Sequence, residues 1–193
     1  MRHPSECYGD GDLRLVDVQQ IIPLAEAQEY PMQLKQKEQV GRKMRAERYD
    51  IRLRFWQGLA ALARTQKTRH ANIRPNSTTW MSASSGFSGL SLDYVAVQEY
   101  ALVELYVDRR DTDENKRIFD QLHARRDEIE KAFGNPLSWE RLDAKRACRL
   151  NYRIDLGGYR SPEIQWPQIH DAMIRTMSRL EAVLVPVLTS LGL

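Results

Sequence analysis

Residues 89–108, GLSLDYVAVQEYALVELYVD, decide the fold of this chain. The stretch contains two runs, GLSLDYVAV and YALVELYVD, which are joined by the short step Gln98-Glu99. Both runs are rich in β-branched and aromatic residues, which suit a pleated, half-buried surface. Together with the preceding run TTWMSAS at residues 78–84, they predict three successive strands.

Helical patterns lie on both sides of these strands. Before them, apolar residues recur every three or four positions from Met44 onward, which predicts an amphipathic helix reaching about Arg64. After them, Asp111 or Thr112 can accept a hydrogen bond from a free backbone N–H and so begin a second helix. This helix is predicted to end at Gly134, because glycine readily adopts the left-handed conformation that terminates helices.

The C-terminal part of the sequence adds two strands and a helix. The strands are predicted in the alternating segments LSWERLD, residues 137–143, and ACRLNYRIDL, residues 147–156. The helix is predicted to begin at Ser161-Pro162-Glu163, with proline in the first turn, and Pro186 is expected to kink it or to end its regular part. It carries one long apolar stripe, formed by Ile169, Met173, Met177, Leu180, Leu184, Val187 and Leu191.

The resulting element order is α-βββ-α-ββ-α. It predicts an α+β fold with a mixed, mostly antiparallel sheet of about five strands flanked by helices. A length of 193 residues suits one domain with a sizeable core. We therefore predict a single α+β domain over residues 32–193, preceded by an N-terminal extension over residues 1–31.

Composition excludes several classes of protein. The 29 basic and 26 acidic residues leave a formal charge of only +3, so whole-chain charge does not identify a polyanion as partner. Cys7 and Cys148 show no CxxC spacing, which argues against a disulfide framework or a zinc site. No apolar run approaches the roughly 20 residues that span a bilayer. We expect a cytoplasmic protein without a membrane partner.

A family resemblance runs through residues 119–150, FDQLHARRDEIEKAFGNPLSWERLDAKRACRL. This segment, with VELYVD at residues 103–108, resembles the domain of unknown function 4268 family over roughly residues 50–190. The resemblance implies a prokaryotic C-terminal module, some of whose relatives carry an upstream nuclease-like domain, and it implies no activity. The family motif covers Trp139, Glu140, Arg141, Asp143, Lys145 and Arg146.

The element order is also similar to a restriction-endonuclease-like core, in intact or degenerate form. Such nucleases place one acid on the second strand and Glu-x-Lys on the third, where the carboxylates hold Mg²⁺ against the scissile phosphate. Asp93 and Glu104 match the two acids, both as catalytic and as metal-binding residues. Tyr106 stands where lysine is expected, so Lys145 or Lys116 would have to complete the site.

Asp143-Ala144-Lys145 offers a second arrangement of the same chemistry, with Asp108 as the partner carboxylate. The alternative interpretation is a bend between two strands, at which Arg141, Asp143, Lys145 and Arg146 make surface ion pairs.

A basic surface is predicted on the first helix and the loop after it. Lysine and arginine there would neutralise phosphates and bind nucleic acid in a salt-dependent manner. Glu47 and Asp50 interrupt this surface, so an ordinary solvated helix face is the alternative. The candidate nucleic-acid-binding residues are Arg42, Lys43, Arg45, Arg52, Arg54, Arg69 and Arg74.

Three functional hypotheses follow. The first is a non-catalytic accessory module in a prokaryotic DNA-related system, which binds DNA, RNA, a nuclease or another protein and needs no cofactor. The second is a Mg²⁺-dependent nuclease that uses Asp93, Glu104 and Lys145. The third is a structural module that forms homo-oligomers through the apolar stripe of its C-terminal helix.

Overall fold

The structure is a computed structural model that describes the backbone of residues 25–193 and the side chains of residues 34–193. Residues 1–24, which include Cys7 and most of the predicted N-terminal extension, lie outside the described residues. The chain divides into two compact units, Met1–Arg42 and Lys43–Leu193. In the first unit, the described side chains of residues 34–40 are exposed on the first helix.

The described residues form four α-helices and five strands, which confirms the predicted α+β class. A single predicted helix at residues 111–134 is in fact two helices, separated at Ala124 and Arg125. The helices are α1 (Ala25–Thr65), α2 (Thr112–His123), α3 (Arg126–Phe133) and α4 (Trp166–Ser190), and the strands are β1 (Trp80–Ser84), β2 (Leu90–Ala96), β3 (Ala101–Val107), β4 (Ser138–Glu140) and β5 (Cys148–Ile154).

Local sequence signals explain the start of α2 and the end of α3. Asp111 caps α2 by accepting a hydrogen bond from the Glu114 backbone N–H at 2.8 Å. Gly134 ends α3 in the left-handed conformation, with φ of 84°. A short 3₁₀ turn, Glu163–Gln165, precedes α4, and α4 continues through Pro186 to Ser190 instead of ending there.

The five strands form one sheet in the order β1-β2-β3-β5-β4, and all four pairings are antiparallel. Because successive side chains point to opposite faces, each strand contributes to an inner and an outer face. The inner face joins α1, α2, α3 and α4 in the hydrophobic core. It is formed by the alternate residues Met81, Leu90, Leu92, Tyr94, Val103, Leu105, Cys148 and Leu150, among others.

The outer face of the sheet has a different composition. None of its side chains belongs to the hydrophobic core of the described residues. Most of its side chains are polar or charged, whereas those of the inner face are apolar. We define the outer face by Trp80, Ser82, Ser84, Ser91, Asp93, Val95, Leu102, Glu104, Tyr106, Ser138, Glu140, Arg149, Asn151 and Arg153.

The helix α4 packs on β3, α3 and β2. Its predicted apolar stripe is buried from Ile169 to Val187, with only Leu191 half-buried. This stripe is therefore covered by the core of the same chain.

Candidate functional site

A row of polar side chains crosses all five strands on the outer face. Its members are direct cross-strand neighbours: Ser82 faces Asp93, Asp93 faces Glu104, Glu104 faces Asn151, and Asn151 faces Ser138. The Cβ atoms of such pairs lie about 4.5–5.5 Å apart. The two acids that the sequence singled out are thus brought together on one face, at the centre of the sheet.

These two acids lie in a cavity of about 510 Å³, which we call the outer-face cleft. Asp93 and Glu104 are only 6% and 5% exposed, whereas the Trp80 side chain at the same cleft is 52% exposed. The buried carboxylates therefore form the floor of the cleft, and the aromatic ring lies at its rim. The cleft is lined by Thr79, Trp80, Ser82, Ser91, Asp93, Val95, Glu104, Tyr106 and Arg149.

Asp93 is held by serine hydroxyls. Ser82 Oγ donates a hydrogen bond to Asp93 Oδ1 at 2.5 Å. Burial raises the pKa of Asp93, and the hydrogen bonds from Ser82 and Ser91 offset part of that rise because they stabilise the charged form.

Glu104 is less well compensated than Asp93. Its Oε2 atom accepts no hydrogen bond, although Arg149 Nη1 lies 3.5 Å away as an ion-pair partner. The pKa of Glu104 is raised to about 7, mainly by burial. The positive charge of Arg149 lowers this pKa, and the negative charges of Asp93 and Glu140 raise it further. A buried carboxylate without a hydrogen-bond donor is costly for the folded state.

Arg149 is committed mainly to Glu140. Arg149 Nε donates to Glu140 Oε2 at 2.9 Å, and the other Glu140 oxygen accepts a 2.8 Å hydrogen bond from Asn151 Nδ2. Glu140 is a residue of the family motif, and its role here is to fix two outer-face side chains beside Glu104.

The lysine candidates for the nuclease hypothesis do not line the outer-face cleft. Tyr106, at the expected lysine position, pairs across the strands with Arg149. Lys145 lies in the loop between β4 and β5 and lines an adjoining cavity of about 260 Å³. The two cavities share Tyr106 and Arg149, so Lys145 is a neighbour of the cleft and not a member of it.

Lys116 has a different position, beneath the loop that carries the family motif. Its buried ammonium contacts four backbone carbonyl oxygens and the Cys148 sulfur, which is 3.3 Å away. The ammonium donates to the carbonyl oxygens of Arg141 at 2.5 Å, Leu142 at 3.0 Å, Lys145 at 2.8 Å and Ala147 at 3.2 Å. Lys116 therefore organises residues 141–147 from the inside.

Ion pairs hold the same loop from the outside. Arg141 binds both carboxylate oxygens of Asp120, at 2.8 and 3.1 Å, and also pairs with Asp143. Arg146 binds both oxygens of Asp108 at 2.7 and 2.6 Å, which lowers the pKa of Asp108. The segment Asp143-Ala144-Lys145 lies in a turn, in which the Lys145 N–H donates to the Leu142 carbonyl.

Trp139, another residue of the family motif, contacts α3. Its indole N–H donates to Glu130 Oε1 at 2.8 Å, and the Leu137 N–H donates to the same oxygen. These hydrogen bonds join the start of β4 to α3 and lower the pKa of Glu130.

Three of the seven residues of the predicted basic surface form ion pairs with acidic side chains. Arg54 pairs with Asp50 and Glu163, and Arg69 pairs with Glu181 at 2.5 Å. Arg52 lies over the ring of Tyr159, 4.8 Å from its centroid. Lys43, Arg45 and Arg74 are exposed. In the first unit, Arg42 pairs with Glu38 at 3.5 Å.

Sequence reasoning missed three members of the site. Ser82, Asn151 and Arg149 became visible only through the strand register, which places each of them beside Asp93 or Glu104. Alternation along β5 already indicated that Arg149 and Asn151 share a face, but it did not indicate which strand they would adjoin.

Comparison with known proteins identifies a family for most of the chain. The family described as "Domain of unknown function (DUF4268)" matches residues 51–188. No curated protein and no solved structure matches the chain significantly. Among the helices within the described residues, none has the length and apolar character required to cross a membrane.

Proposed function

The chain belongs to the DUF4268 family, and we propose that it is a non-catalytic binding module in a prokaryotic DNA-related system, with the outer face of the sheet as its binding surface. One observation carries this proposal. Asp93 and Glu104 are buried side by side in the outer-face cleft, and Glu104 Oε2 accepts no hydrogen bond.

The cost of this arrangement is the reason to expect a function. Buried charge lowers stability unless it is paired and hydrogen-bonded. Apolar side chains at positions 93 and 104 would avoid that cost. Departures from folding rules of this kind concentrate at functional sites.

The surface charge favours a protein partner over nucleic acid. Phosphate binding requires cations that are available to the backbone of DNA or RNA. On and beside the outer face, however, Arg146 pairs with Asp108, Arg149 with Glu140, and Arg153 with Asp155. Most of the predicted basic residues on α1 and the following loop have acidic or aromatic partners as well.

A Mg²⁺-dependent nuclease is the second candidate. The observation that favours it is the direct cross-strand pairing of Asp93 and Glu104 within one cleft. Mg²⁺ binds well to one or two carboxylates together with waters, so these two residues would hold it and it would supply Lewis-acid chemistry. Arg149 argues against this fit, because its guanidinium already lies 3.5 Å from Glu104.

The homo-oligomer hypothesis has less support, because the apolar stripe on α4 that motivated it is buried in the core of its own chain.

Incubation with nucleic acids separates the first two candidates. The purified protein is incubated with single- and double-stranded DNA and RNA in the presence of Mg²⁺ or Mn²⁺, and cleavage and gel retention are measured together. We expect no cleavage and no salt-sensitive retention. Cleavage that is lost in Asp93→Asn/Glu104→Gln, but kept in the matched control Glu99→Gln/Asp127→Asn on exposed residues, would establish the nuclease instead.

A further inference from the structure

The outer-face cleft has the chemistry of a cation site. We propose that the outer-face cleft binds the ammonium group of a lysine side chain presented by a protein partner. This proposal rests on the proposed function. The inference goes beyond the binding surface itself, because it names the chemical group that the partner inserts.

Charge balance is the first argument. Asp93, Glu104 and Glu140 face a single cation, Arg149, so the cleft and its immediate support carry a surplus of negative charge. The nearest other cation on β5, Arg153, is paired with Asp155 at 2.5 Å and lies over the ring of Tyr100. A ligand that brings positive charge would compensate the surplus.

Hydrogen-bonding capacity is the second argument. Glu104 is 5% exposed, and its Oε2 accepts no hydrogen bond. Asp93 is already supplied by Ser82. An ammonium group brings three donors that rotate freely, and a charge-assisted hydrogen bond to the Glu104 carboxylate would add to its 3.5 Å ion pair with Arg149.

The shape and lining of the cleft are the third argument. A volume of about 510 Å³ accommodates a side chain with a four-carbon stem. Val95 and the ring of Tyr106 line the cleft, and Trp80 lies half-exposed at its rim. Lysine buries its methylene groups along apolar surfaces, and its charge is attracted by aromatic faces.

The position of Arg149 discriminates between cations. A divalent ion needs a shell of oxygen ligands, whereas the Arg149 guanidinium lies 3.5 Å from Glu104 on this side of the cleft. No group of three or more histidine, cysteine, aspartate or glutamate side chains suited to a metal occurs within the described residues. An arginine ligand would bring a planar guanidinium, which recognises a carboxylate best through two parallel hydrogen bonds, whereas Asp93 Oδ1 already accepts a hydrogen bond from Ser82.

The test uses the full chain, labelled with ¹⁵N, and three probes at constant ionic strength and pH 7.5. The probes are Nα-acetyl-lysine methylamide, the same molecule with norleucine in place of lysine, and MgCl₂. We expect saturable chemical-shift changes at the Trp80 indole N–H and at the backbone of Ser82, Asp93 and Glu104 with the lysine probe alone. In Glu104→Gln the affinity should fall about tenfold or more, since a charge-assisted hydrogen bond is lost, and in Glu99→Gln it should not change.

Other results overturn the inference. Equal shifts with the lysine and norleucine probes would mean that the ammonium is not recognised. A stronger response of the same residues to Mg²⁺ than to the lysine probe would assign the cleft to a metal. Absence of any response, in a protein that also cleaves no nucleic acid, would reject the lysine ligand and leave the binding module standing; cleavage would reject the binding module itself.

Discussion

Replacement of Lys116 by methionine is expected to lower the free energy of unfolding by about 3–5 kcal/mol, because four backbone carbonyl oxygens lose a charged hydrogen-bond donor. Methionine has a similar length but cannot donate hydrogen bonds. The carbonyl oxygens of Arg141, Leu142, Lys145 and Ala147 would lose their shared donor. Each buried carbonyl left without a partner carries a penalty of about 1–3 kcal/mol when water cannot replace the donor.

The matched control for this prediction is Lys145→Met. Lys145 lies in the same loop but is exposed, so the same chemical change should alter stability by no more than about 0.5 kcal/mol. Urea denaturation followed by circular dichroism measures both variants. Equal stabilities of the two variants would contradict the conclusion that Lys116 organises the motif loop.

Replacement of Glu104 by glutamine should stabilise the protein at pH 8. The folded-state pKa of Glu104, about 7, lies above its ordinary value of 4.5. The Glu104 carboxyl group therefore loses its proton more readily in the unfolded chain than in the folded protein. As a result, the stability that the protonated Glu104 provides is lost as the pH rises through 7. The variant should be more stable than wild type by about 1–3 kcal/mol at pH 8, and its stability should vary less between pH 5 and pH 8.

The charged groups around Glu104 determine how large this effect is. The charges of Asp93 and Glu140 raise the pKa of Glu104 further, and the charge of Arg149 lowers it. Glu99→Gln, on the exposed turn of the same hairpin, is the control and should leave the pH profile unchanged. A Glu104→Gln variant that is less stable than wild type at pH 8 would mean that the carboxylate is satisfied within the fold.

The central hairpin could be predicted from the sequence because it is local. The two runs around Gln98-Glu99 alternate and nearly mirror each other, and this symmetry brings Asp93 opposite Glu104 in β2 and β3. The five strands, the cap at Asp111 and the helix end at Gly134 also follow from residue types with known local preferences, although β4 ends at Glu140 and not at Asp143.

Contacts between segments that are distant in the sequence could not be predicted from it. Arg149 reaches Glu104 only because β5 pairs with β3, and two helices separate these strands in the sequence. Lys116 binds backbone carbonyls 25–31 residues away, and carbonyl groups carry no sequence signal. The break between α2 and α3 falls at Ala124 and Arg125, which are both good helix formers.

The most direct test of the claim that the outer-face cleft is kept for a ligand removes both carboxylate charges. The measurement is the free energy of unfolding of Asp93→Asn/Glu104→Gln relative to wild type at pH 8, by urea denaturation. If the two acids serve binding at the expense of folding, the double variant will be more stable than wild type, by at least as much as Glu104→Gln alone. A double variant that is less stable by 1 kcal/mol or more would show that Asp93 and Glu104 support the fold, and would contradict the claim.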